Sequence, residues 1–219
     1  MTFSGFNADS FAFFDELALN NNKPWWEENK ARYEQVVRQP LAALMEHLAP
    51  EFGLGKLYRP YRDTRFSLDK TPYKDRAAAA VFGQAGTGFY LEVSAAGLDL
   101  GGGYWHPGKD QVDKFRDVIN DVRLFGDLEA TIEEMQDLGF DLYQQDALKT
   151  APRGYDADHP RIHLLRLKHM VVEKKVAPAD WLYRREAAEW VTEQWRNVAI
   201  WNDWLAESVG PSIHGPRPR

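Results

Sequence analysis

The hydrophobic period switches repeatedly between helical and strand spacing along this chain, and those switches bound the fold. Up to about residue 53 the apolar residues recur at helical spacing, as Phe11, Phe14, Leu17 and Ala18, then Trp25, Trp26, Tyr33 and Val36, then Leu41, Leu44, Met45 and Leu48. Asp9 or Ser10 is the expected cap of the first helix, the asparagines at 20–22 its stop, and Pro40 is expected to break or kink the pattern. Segments 77–82, 89–94 and 98–100 read instead as strands of an antiparallel meander, with GGGYWHPGKD leading out of the sheet. Helical spacing returns over 109–121, with Val112, Phe115, Arg116 and Ile119 on one side, and again at Leu124, Leu128, Ile132 and Met135. Residues 139–150 are ambiguous between coil and a hairpin, 162–167 read as helix and 169–176 as a strand. Pro178 then opens a last long helix with an aromatic stripe, Trp181, Trp190, Trp195 and Trp201, whose first reading is core packing. The expected fold is α+β, with N-terminal helices, a central antiparallel sheet and C-terminal helices, in a single globular domain over 1–210 followed by a flexible tail, 211–219.

The chain has 219 residues, 44% hydrophobic and 27% charged, which is enough for one sizeable core. The absence of cysteine excludes disulfides, thiolate nucleophiles and Cys-ligated zinc or iron–sulfur centres. The stretch MTFSGFNADS has no basic-then-apolar leader pattern, and no run approaches the roughly 20 apolar residues of a membrane span. The expectation is a cytoplasmic protein with no membrane partner. A net charge of −6 argues against broad nonspecific binding of nucleic acid.

Within this anionic chain lies a cationic island, RPYRDTRFSLDKTPYKDR over 59–76. It carries Arg59, Arg62, Arg65, Lys70, Lys74 and Arg76 against Asp63, Asp69 and Asp75. Arginine forks match the paired oxygens of carboxylate or phosphate, so Arg59, Arg62, Arg65 and Asp69 are candidate ligand-binding residues. Lys70, Tyr73 and Asp63 are the candidate catalytic groups. Pro72 makes 69–74 a turn or loop, and a tyrosine flanked by lysines either titrates below a free phenol and serves as acid, base or donor or, more often, packs its ring and donates one hydrogen bond. The competing explanation is that interleaved Arg and Asp satisfy one another as an ion-pair network.

Chemistry elsewhere is thinner. GYWHPGK, 103–109, has the glycine spacing of a phosphate-binding loop, but Asp110 stands where a magnesium-binding Ser/Thr belongs and Pro107 offers no N–H. What survives is a helix start near Gly108 able to face an anion, with His106 and Lys109 close by. Asp156, Asp158, His159 and His163 form a cluster without HExxH or EF-hand spacing, and capping by Asp158 explains it better than a metal, so no metal ligand is assigned. There is no GxSxG elbow, and nothing in the pattern specifies a cofactor.

On Asn21, Asn22 and Trp25, on RPYRDTRFSLDKTPY with its Arg59, Arg62, Asp63, Arg65, Phe66, Asp69, Lys70 and Tyr73, on the turn at 103–107 and on PRGYDADHP, the chain resembles an uncharacterised family of conserved hypothetical proteins of bacteria and fungi. The resemblance spans nearly the whole length and implies one family-wide domain. It brings no activity, cofactor or oligomeric state with it.

Three functions fit these residues. In the first, a small carboxylated or phosphorylated compound is clamped by Arg62 and Arg65, Asp63 and Asp69 orient these arginines or bind a divalent ion, Lys70 and Tyr73 act at the reacting end, and His106 and Arg116 complete the site. Such a site binds its compound with or without turning it over. In the second, the island and its tyrosines hold nucleic acid. In the third, the island is an internal ion-pair network in an interaction module.

Overall fold

The structure, a computed structural model, describes residues 2–65, 68–83 and 86–214. Helix α1 (Ala8–Leu19) begins earlier than the expected caps, on Asn7. The Asn7 Oδ1 accepts from the Ser10 N–H at 2.9 Å, and Ser10 Oγ accepts from the Asn7 N–H at 3.0 Å, a reciprocal capping box. Asp9 sits inside the first turn and pairs with Arg32 of α2 (Lys23–Tyr33), which Asn22 caps and Pro24 opens.

Pro40 does not break the helical pattern. A π-helical turn, Glu34–Arg38, carries α2 directly into α3 (Gln39–Phe52). A proline at 40 has no N–H for the carbonyl four residues back, that of Val36. Ser10 supplies the missing donor, its Oγ–H reaching Val36 O at 2.6 Å in a buried contact. One fully buried hydroxyl thus closes the start of α1 and covers the gap that the proline leaves.

The strands are β1 (Lys56–Leu57), β2 (Arg76–Phe82), β3 (Gly88–Ser94), β4 (Gly97–Tyr104), β5 (Asp141–Leu142) and β6 (Met170–Val176), hydrogen-bonded in the order β1-β2-β3-β4-β6-β5. β1 pairs antiparallel with β2, Lys56 opposite Ala80, and β5 antiparallel with β6, Asp141 opposite Glu173. The expected meander is therefore present as β2-β3-β4. Of a hairpin within 139–150 only the two residues of β5 exist, and they pair with β6 instead. β4 is longer than expected, because Gly101, Gly102 and Gly103 stay in the strand. A Cβ on Gly101 would lie 1.9 Å from Val172 O, and one on Gly103 1.9 Å from Met170 O, so only glycine permits this approach of β6.

The chain forms two compact units, Met1–Val81 with Tyr90–Leu100 and Lys175–Gln194, and Phe82–Phe89 with Gly101–Lys174 and Trp195–Arg219. In the first, α1, α2 and α3 bury Phe13, Phe14, Leu17, Trp26, Leu41 and Leu44. In the second, α4 (Lys109–Asn120) buries Gln111, Phe115, Val118 and Ile119, while Val112 and Arg116 lie at its margin. Helix α5 (Val122–Asp137) turns Phe125, Leu128 and Met135 inward and leaves Leu124 exposed. A short α6 (Ile162–Leu165) follows. The last helix, α7 (Glu186–Ser208), is entered through a 3-10 turn, Asp180–Tyr183, rather than directly from Pro178. Its aromatic stripe is largely core, with Trp195 and Trp201 fully buried and the Trp201 indole N–H donating to Met170 O at 3.1 Å.

The Ser10–Val36 contact has a measurable consequence. Ser10→Ala should cost about 1–3 kcal/mol in urea unfolding, because the buried carbonyl is left without a donor. In a Pro40→Ala background, where an N–H is restored, the same substitution should cost less by about 1 kcal/mol.

Candidate functional site

The island folds as a loop pinched at a neck. The Arg62 N–H donates to Pro72 O at 2.9 Å and the Lys74 N–H to Pro60 O at 2.8 Å, with Tyr61 and Tyr73 as antiparallel bridge partners. Two contacts fix this neck to the helices of the first unit. The Asn21 amide clasps the Tyr73 backbone, Nδ2 donating to Tyr73 O at 2.9 Å and Oδ1 accepting from Tyr73 N–H at 3.1 Å. The Tyr73 ring stacks on Trp26, centroids 4.2 Å apart and planes 12° from parallel, with Tyr61 against it at 5.5 Å.

Tyr73 is consequently only 3% exposed. Of the two readings of this tyrosine the packed ring is the one formed, and its phenol is pushed up, first by burial and then by Tyr61 and Glu27. Lys70 of the same candidate trio gives its ammonium to Thr64 O at 2.9 Å. Asp63, the third member, is held by Arg65 through Nη2 at 2.7 Å and Nε at 3.0 Å, and the Arg65 guanidinium pulls its carboxyl down to about 2. Arg62 pairs with Asp69 and, at 3.7 Å, with Asp75, while the other Asp69 oxygen accepts from Thr71 N–H and Oγ–H. The ion pairs of the competing explanation are thus formed, but they are not buried: the Arg65 side chain is 77% exposed. Exposed pairs of this kind contribute little to stability. Phe66 and Ser67 lie outside the described residues.

At the neck, like charges act on one another. Burial, and after it the guanidiniums of Arg76, Arg59 and Arg62, hold the Lys74 ammonium below its ordinary range. Lys74 Nζ also lies over the Tyr58 ring, 5.5 Å from its centroid. Arg76 opens β2 and reaches Glu92 with Nε at 3.1 Å, and the Tyr90 hydroxyl donates to the same carboxylate at 2.5 Å. Glu92 is 16% exposed in its side chain, and burial pushes its carboxyl up against the pull of Tyr90 and Arg76. Asp99 and Lys175 pair at 3.8 Å. Sequence reasoning passed over Lys74, Arg76, Tyr90 and Glu92 as site residues. The alternation in FYLEVS carried part of the signal, since Leu91 and Val93 are fully buried and must leave Tyr90 and Glu92 on the opposite face.

His106 and Arg116 belong to the second compact unit. Arg116 Nε donates to Leu165 O at 3.1 Å, and the exposed His106 ring meets Trp105 edge-on. The start of α4 is occupied by the chain itself: the Gly108 N–H donates to Gln111 Oε1, and Asp110, in the first turn, accepts from Ser212 Oγ–H and Ile213 N–H. In the histidine cluster, His159 Nδ1 accepts from Arg161 N–H at 3.0 Å, and Asp158 caps nothing, since α6 begins after Arg161 without a side-chain cap. Among the described residues, no group of three or more His, Asp or Glu is arranged to hold a metal, and no helix is long and apolar enough to cross a membrane.

A family model described as "Conserved hypothetical protein (DUF2461)" matches residues 9–204. Searches of curated proteins and of solved structures find no match.

The raised Glu92 carboxyl links stability to pH. Above the ordinary value of 4.5 the folded chain binds this proton more tightly than the unfolded chain does, so Glu92 favours folding below that value. Its contribution is lost as pH rises through the raised folded value. Measured by urea unfolding from pH 4 upward, the wild type should lose stability relative to Glu92→Gln over that window, and parallel profiles would contradict it.

Proposed function

The chain belongs to the DUF2461 family of conserved hypothetical proteins, and from that premise we propose that it is a cytoplasmic domain that binds a small carboxylated or phosphorylated compound at the neck of the 59–76 loop. The observation that carries this reading is the neck itself, where the bonds from Arg62 N–H to Pro72 O and from Lys74 N–H to Pro60 O bring Arg62, Lys74 and, two residues on, Arg76 to one place, and where Arg76, Arg59 and Arg62 act against the charge of Lys74 while Glu92 acts for it. Like charges repel, and a half-buried ammonium among three guanidiniums is stabilised by an anion that bridges them. Arg62, Lys74 and Arg76 sit on or beside the backbone pairing of the neck, so their positions are set by main-chain hydrogen bonds rather than by the exposed part of the loop. Arg65, Lys70, Asp63 and Asp69 have a different part in this proposal. The Arg65–Asp63 pair, the bond from Lys70 to Thr64 O and the contacts of Asp69 with Arg62 and Thr71 shape the loop, and the anion is held by Arg59, Arg62, Lys74 and Arg76.

The neighbouring Glu92 and Tyr90 give the site chemistry beyond binding. A carboxyl with a raised proton affinity, in contact with a hydroxyl and an arginine, can pass a proton to or from a ligand seated on Arg76. The RxxRDxRFxxDKxxY pattern as the family's signature, and the family's spread through bacteria and fungi, belong to the same proposal.

The ion-pair reading is favoured by a specific observation too, namely the Arg65–Asp63 and Arg62–Asp69 pairs. One experiment separates the two. Thermal-shift and calorimetric titration with inorganic phosphate and a panel of phosphorylated and carboxylated metabolites is run on the wild type, Lys74→Met, Arg59→Ala and Arg65→Ala. At least one anion should bind the wild type, with affinity about tenfold or more lower in Lys74→Met and Arg59→Ala and little changed in Arg65→Ala. No selective anion, or loss in Arg65→Ala alone, would sink the proposal.

A further inference from the structure

The second compact unit, taken by itself, holds a cleft of about 350 Å³ lined chiefly by Thr87, Phe89, Ala199, Asn202, Asp203 and Ala206. The volume is at the lower end of the range for small-molecule sites. Four of these residues come from α7 at positions 199, 202, 203 and 206, a spacing that places them on one helical face. Two are alanines, which is why the face is recessed there. Phe89 forms an apolar wall, its ring stacked on Trp195 at 5.2 Å.

Asn202 gives the cleft its polarity. It is 5% exposed, and its Nδ2 donates to Gly88 O at 3.3 Å. A backbone carbonyl can only accept, so this bond fixes which end of the amide is the nitrogen. The other end, Oδ1, is buried and has no hydrogen-bond donor among the described residues. A buried acceptor without a donor carries an uncompensated desolvation cost, and in native proteins such a group calls for an explanation.

We propose that this cleft binds a small organic cation carrying N–H donors on a flat apolar body. The amide and the carboxylate of the cleft select for that chemistry. Asn202 Oδ1 requires a donor. The exposed Asp203 carboxylate, one residue along the same face, favours a positive charge beside it. The lining face lies in the C-terminal half of α7, the negative end of the helix dipole. The Phe89 ring accommodates both an apolar plane and a cation above it. Among the described residues that line the cleft there is no lysine or arginine to oppose the charge. The site is separate in composition from the anion-binding proposal, shares no residue with it and selects the opposite charge.

The test uses benzamidine and benzylamine as probes, benzyl alcohol as the neutral control, and amide chemical shifts of the full chain as readout. Benzamidine should give saturable shifts at 199–206, with benzyl alcohol at least about tenfold weaker. Asp203→Asn should weaken benzamidine by about tenfold or more. Ala206→Leu, which fills the cleft while leaving Asn202 intact, should abolish the shifts, and its unfolding temperature confirms that the variant is folded. Absence of saturable binding by either cation, equal binding of benzyl alcohol, or undiminished binding to folded Ala206→Leu would each overturn the proposal.

Discussion

The stack of Tyr73 on Trp26 is the contact on which the candidate site depends. A loop carrying six cations and three carboxylates is held through the two tyrosines of its neck, which meet the aromatic core of α1 and α2. Trp26 is 1% exposed and touches Tyr33 and Phe13 as well as Tyr73 and Tyr61, which makes the neck an extension of the helical core. The asparagines between the two helices complete the attachment. Asn22 caps α2, and Asn21, freed from any helix, pairs with the Tyr73 backbone as a neighbouring strand would. A short helix-breaking tripeptide thereby serves both the helices and the loop.

With the neck anchored, electrostatics divides the loop into two regions. Toward the Asp63 and Arg65 end, opposite charges meet in water-exposed pairs, where solvent screening leaves each with little net value. At the neck the balance differs: Lys74 is partly withdrawn from water and three guanidiniums act on it, while the nearest carboxylates, Asp75 and Glu92, are shared with Arg62 and Arg76. The first arrangement is satisfied by itself. The second holds an excess of positive charge that a bound anion would relieve, and this difference separates the functional residues proposed here from the loop residues that resemble them in composition.

Much of the fold was legible because its cause is local. The three N-terminal helical segments and the β2-β3-β4 meander follow from the spacing of apolar residues and were placed within a few residues, and the long C-terminal helix was found but begins at Glu186 rather than at Pro178. What failed depended on partners distant in sequence. Pro40 reads as a break until Ser10, thirty residues earlier, is seen to hold the Val36 carbonyl. The glycines at 101–103 read as an exit from the sheet until the carbonyls of β6 are found against them. The same holds for the site. Charge density pointed to residues 59–76, yet it could not tell a self-paired arginine such as Arg65 from the cations gathered at Lys74. Nor could it decide between a Tyr73 that titrates low and one that packs its ring, a choice settled by the stack on Trp26.

The most direct measurement is crystallographic. Crystals soaked in tungstate, a tetrahedral dianion with a strong anomalous signal, would show where the loop concentrates positive charge. The expected result is an anomalous peak within hydrogen-bonding distance of Lys74 Nζ and at least one of Arg59, Arg62 and Arg76. A peak confined to Arg65 or Lys70, or none on the loop at saturating tungstate, would contradict an anion site at the neck.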